Sequence, residues 1–139
     1  MKTIHLATLL LTATAAIAQT YTIQERGPTC HADLSAQLVT VGTTPGIRLG
    51  IHSMPHSIAV LAIGPHAPSP IALPYGPCEF FVRPVSTVLG TTDANGNAPF
   101  AFRIPPVLPL HVLFQGAVLS LTPHGLALGS TDVVVLDGQ

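Results

Sequence analysis

The chain has no tryptophan, a single lysine and only two cysteines among its 139 residues, and charged side chains make up 8% of it. Ordinary globular proteins carry about 25%. The lysine is Lys2, so the cations further along are Arg26, Arg48, Arg83 and Arg103. Nucleic-acid binding rests on clustered Lys and Arg that neutralise phosphates, and these four are too few and too scattered. A nucleic acid is therefore not an expected partner. Sugar-binding sites stack their ligand on flat aromatic faces, and here the only tyrosines are Tyr21 and Tyr75. The five phenylalanines fall at strand spacing, which favours a core role. Tyr75, in a proline-rich loop beside Gly76, is the one aromatic expected at the surface and a candidate ligand contact. A surface with so little charge, close to neutral overall, is prone to association.

Helical signals are also missing beyond the N-terminus. The 14 prolines and 12 glycines are spread as punctuation through the chain. Proline breaks a helix and glycine weakens one. Between them lie short runs rich in Val, Ile, Leu and Thr, which is strand chemistry. Leu6–Ala18 is different: a lysine precedes it, its body is apolar, and Ala16 and Ala18 form a small-x-small end. These are the parts of a cleavable export signal, so residues 1–18 are expected to be removed, leaving 19–139 as one domain. No later stretch suits a membrane span, because Pro109, His111, Gln115 and Gly116 interrupt the apolar run of Val107–Leu121.

Export gives the cysteines a meaning. Cys30 and Cys78 are an even pair in an oxidising compartment and are expected to form a disulfide. Strands are expected at 36–41, 47–52, 58–63, 78–82, 85–92, 98–104, 112–122 and 131–137, with a short edge strand at 71–73. Residues 125–129 read as a turn. Ile47, Leu49 and Ile51 alternate with Arg48, Gly50 and His52, as a half-buried strand requires. Asn95-Gly96 between two such runs is a strong hairpin signal. About eight short strands with this spacing predict an all-β, two-sheet sandwich, immunoglobulin-like or related.

The order of several motifs resembles a group of small secreted β-sandwich domains of environmental bacteria. They are Gly27-Pro28-Thr29-Cys30, Gly42-Thr43-Thr44-Pro45-Gly46, Leu61-Ala62-Ile63-Gly64, Gly76-Pro77-Cys78, Thr91–Ala98, Ile104-Pro105-Pro106 and Phe114-Gln115-Gly116-Ala117. Such domains stand alone behind a signal peptide or close larger exported proteins. Thr92-Asp93-x-x-Gly96-x-Ala98 is also similar to a hairpin of bacterial immunoglobulin-like domains. The resemblance implies fold and export, with a secreted, periplasmic or cell-surface location, and no activity. The histidines depart from it in their number.

For chemistry, His52-Ser53-Met54-Pro55-His56 is the sharpest candidate, with His66 further along. Imidazole and thioether suit copper, so His52, Met54 and His56 are candidate metal ligands; the alternative is a plain strand-to-strand loop. Asp93–Asn97 has calcium-loop oxygens but no nearby bidentate acid. There is no Gly-x-Ser-x-Gly elbow for a hydrolase, and no motif places a carboxylate pair; Asp132 and Asp137 read as surface residues flanking the last strand. Leu113-Phe114-Gln115-Gly116 resembles the cut site of a viral cysteine protease and reads better as strand. The expectation is a non-catalytic structural or interaction module without a cofactor. Its partner would be another exported protein, a surface polymer or a second copy. An envelope metal-binding protein is the alternative, and a small secreted hydrolase the next.

Overall fold

A computed structural model describes residues 20–139, so the export signal expected at 1–18 lies outside the described residues. Ten strands follow in order: β1 (Tyr21–Arg26), β2 (Asp33–Val41), β3 (Thr44–His52), β4 (Ile58–Gly64), β5 (His66–Ala72), β6 (Glu79–Val82), β7 (Ser86–Thr91), β8 (Asn97–Arg103), β9 (Leu110–Thr122) and β10 (Gly125–Gly138). Among the described residues there is no helix long and apolar enough to cross a membrane. The first sheet has the order β1-β10-β9-β4-β7 and the second β2-β3-β8, while β5 and β6 form a small ribbon. All pairings within these sheets are antiparallel.

The two larger sheets pack face to face, as the alternating strands require. Leu34, Ile47, Leu49, Ile51, Ala98 and Phe100 of the second sheet meet Ala59, Leu61, Phe114, Val118, Val134 and Leu136 of the first, all buried in one cluster. Phe102 and Phe114 stack across the core with centroids 6.2 Å apart. This is the expected all-β sandwich. Its disulfide is also present: Cys30 and Cys78 are bonded, with Cα atoms 5.6 Å apart. Closing a loop of 48 residues stabilises by about 4 kcal/mol on the chain-entropy account.

Three expectations are corrected. Tyr21–Arg26 forms a strand that the sequence, half polar and ending in charge, did not announce. Residues 125–129 are not a turn but the first part of β10; the reversal is at Pro123-His124, where Thr122 faces Gly125. Asn95-Gly96 does not close a hairpin. Flanking β7 pairs with β4 in one sheet and β8 pairs with β3 in the other. The turn reverses the chain locally, with Gly96 N–H donating to Asp93 O at 3.0 Å, but it delivers the chain across the sandwich.

Candidate functional site

The outer face of the first sheet, away from the core, is divided into two halves. One half lies under the β5–β6 ribbon. Val82 on the ribbon packs with Leu113, Val133 and Val135 of the sheet, and Phe81 leans against them. What pins the ribbon is one side chain. Gln115 sits mid-strand in β9 and is fully buried. Its Oε1 accepts from Phe81 N–H at 2.7 Å and from Val82 N–H at 3.3 Å. Its Nε2 donates to Glu79 O at 3.2 Å and to Thr131 O at 2.9 Å. A buried amide is tolerable only when bonded, and this one is bonded on both ends.

The pin depends on a β-bulge. The register of β10 on β9 shifts between Ser130 and Val133, leaving Thr131 and Asp132 against Gly116. Thr131 Oγ1 takes the Gly116 N–H at 2.8 Å, and its carbonyl turns to Gln115. Gly116 has no room for a side chain, since a Cβ there would stand 2.6 Å from Ile51 Cδ1. Asp132, expected at the surface, is instead buried and accepts from Leu34 N–H at 2.9 Å, tying β2 to the first sheet. Just before the bulge, Cys30 and Ser130 exchange backbone hydrogen bonds of 2.8 and 2.9 Å. The disulfide, the bulge and the glutamine thus fasten the ribbon at one place.

The other half of the face has no cover. Outward-facing partners across the strands are Leu89 with Val60, Ile58 with Leu119, and Leu121 with Leu126. Leu121 is 81% exposed, Leu89 73%, Leu126 53% and Ile58 48%. Segments 58–64, 86–91 and 117–128 contain no Asp, Glu, Lys or Arg. Exposed apolar residues are ordinary singly; an uncharged group of them on one sheet face is a candidate contact site.

The histidine–methionine segment lies at the end of the sandwich where both crossovers meet. Thr92 is its buried anchor: its hydroxyl donates to Met54 O at 2.6 Å and accepts the Ser57 N–H at 2.7 Å. Ser53 N–H donates to Gly96 O at 2.9 Å, and His56 N–H to Thr92 O at 3.2 Å. Gly96 has φ +82°, and a Cβ there would stand 2.0 Å from Ser53 O, so glycine is required. The carboxylate of Asp93 accepts from the backbone of Asn97 and Asn95, which holds it below the ordinary aspartate value of 3.8.

Of the proposed ligands, His52 hydrogen-bonds through Nδ1 to Asn97 Oδ1 at 2.8 Å. His56 is exposed in the left-handed region at φ 57°. Met54 is half exposed and lines a cavity of about 320 Å³ with His31, Ser53, Ser120 and Leu128. Tyr75 is 75% exposed on the β5–β6 loop, also at positive φ. Among the described residues, Cys30, His31 and Cys78 are the one group of three His, Cys, Asp or Glu side chains whose donor atoms come within 4.8 Å of one another. The disulfide occupies both of its sulfurs.

No family model, curated protein or solved structure matches this chain. Sequence reasoning missed Gln115, Asp132 and Thr92. The available signal was a lone amide followed by glycine inside an apolar run, which read as an interruption.

Proposed function

We propose that this is an exported, non-catalytic interaction module that docks through the bare half of its first sheet. The observation that carries the reading is that uncharged group of exposed leucine and isoleucine side chains beside a half that the chain covers itself. Export to an oxidising compartment is supported by the leader pattern and by the Cys30–Cys78 bond. An immunoglobulin-like relationship is supported by the connectivity. β2, β3 and β8 pair as the first, second and fifth strands of such domains do, and β4, β9 and β10 as the third, sixth and seventh. The small secreted domain group of environmental bacteria remains the proposed kinship.

The test is a photo-crosslinking side chain placed in the exported protein at Leu121, with Gln37 on the outer side of β2 as control. The reading expects adducts from position 121 and few from 37. Equal yields at both positions, or turnover on a broad panel of hydrolase substrates, would contradict it.

A metal site is the second reading. It is favoured by the Nδ1 bond of His52 to Asn97, since ligating histidines are commonly held by their other ring nitrogen. Titration with copper should then distinguish the native protein from His52→Ala combined with His56→Ala. Equal affinity would remove the site.

A further inference from the structure

A sheet edge offers unpaired backbone groups, and proteins guard such edges with charge, proline, bulges or shortness. Three of the four edges of this sandwich carry such guards. Within its own span β1 ends in Glu25 and Arg26. β2 begins with Asp33. β8 has Pro99 in its interior and ends in Arg103. The fourth edge, β7, reads Ser86-Thr87-Val88-Leu89-Gly90-Thr91. It has no charge and no proline, and its six consecutive pairs with β4 run without a register shift. Its side chains are exposed or half-buried throughout.

This unguarded edge borders the bare half directly. Leu89 of β7 faces Val60 of β4, and Thr91 faces Ile58. An occupant of this edge must supply an uncharged strand edge of its own. A charged partner would find no opposite charge on segments 58–64, 86–91 or 117–128. A second copy of this chain supplies such an edge and brings no like charges together there. With 8% charged residues, the chain also has little long-range repulsion to keep copies apart.

We infer that β7 pairs antiparallel with β7 of a second copy, about a two-fold axis perpendicular to the sheet. Directly opposed residues in an antiparallel pair share a face. With the axis at the middle of the strand, the register sets Leu89 against its own copy, or Val88 against its own copy. Either way the two first sheets join into one, and their bare halves become continuous on one side. The interface is isologous and closes at the dimer. This inference rests on the reading of the first sheet as a docking surface and fills its β7 edge, while the bare face itself stays open in the dimer.

The test is sedimentation velocity on the disulfide-bonded exported protein from micromolar to hundreds of micromolar concentration. Leu89→Lys puts like charges at the axis or one residue from it, on a side chain that is 73% exposed, so its thermal unfolding should match the native chain. Gln37→Lys on β2 is the control. The expected result is a concentration-dependent dimer that Leu89→Lys weakens about tenfold or more and Gln37→Lys leaves alone. A native chain monomeric at every concentration would overturn the inference, as would a dimer indifferent to Leu89→Lys. A monomer whose position 121 still crosslinks to other exported molecules would overturn only the self-pairing. A monomer with equal crosslinking at 121 and 37 would remove the docking surface as well.

Discussion

The two halves of the outer face of the first sheet have much the same side chains and opposite fates. Leu113, Val133 and Val135 on one half are buried beneath β6. Leu89, Leu121 and Leu126 on the other are exposed. Strand composition does not separate them. The difference is that one half has a polar device that attaches a cover. Gln115 satisfies two backbone donors of β6, and the disulfide fixes the start of that strand. Apolar area alone does not hold a particular strand in a particular register; a buried, fully bonded amide does. The bare half has no such device and stays uncovered.

The comparison can be broken most severely at the disulfide. Cys30→Ser with Cys78→Ser should cost about 4 kcal/mol of stability in urea unfolding. The same variant should let the viral protease cut after Gln115, because the Phe114-Gln115-Gly116 run is buried in β9 and inaccessible in the native fold. Next comes Gln115→Leu, which keeps the volume and strands the Phe81 and Val82 amides. It should cost about 3 kcal/mol, read in the same unfolding experiment, with m unchanged if the ribbon stays docked. A rise in binding of a hydrophobic dye would show that the covered half has been exposed.

On the bare half the same kind of change should do little to folding. Leu121→Thr with Leu126→Thr should shift monomer stability by no more than about 0.5 kcal/mol, because both side chains are already in water. The two residues lie two and three strands in from the β7 edge, so the dimer should persist, which sedimentation reads separately. The smallest effect belongs to the Asp93 turn, which follows β7 at the end of the sandwich. Its folded carboxyl lies below 3.8, so its contribution is present above that pH and lost as pH falls through the lower folded value. Asp93→Asn should flatten acid unfolding in that window and remove this small contribution at neutral pH, where it is fully present, with the Asn95 and Asn97 amides loosened and exchanging faster.

Much of the fold was legible because the strands declare themselves locally. Ile47, Leu49 and Ile51 alternate, and Phe100, Phe102 and Ile104 do the same opposite them. The Cys30–Cys78 pair followed from count and compartment. Pairing order was not legible. Asn95-Gly96 says that the chain turns, and a turn that closes a hairpin uses the same residues as one that crosses a sandwich. The docking of Ser53 on Gly96 decides between them, and that contact links residues far apart in sequence. The candidate site was hidden for a related reason. Gln115 looks like a blemish in an apolar strand until β6 arrives with two unpaired amides. Likewise, Leu89 and Leu121 look like core residues until the ribbon covers the other half and leaves theirs open.

The most direct test of the account is amide hydrogen exchange of the native protein at low and high concentration. The account predicts that protection rises with concentration in Ser86–Thr91, while the covered segments Glu79–Val82 and Leu113–Gly116 stay equally protected at both. Exchange in Ser86–Thr91 that is independent of concentration, or concentration-dependent protection that falls on β1, β2 or β8 instead, would contradict it.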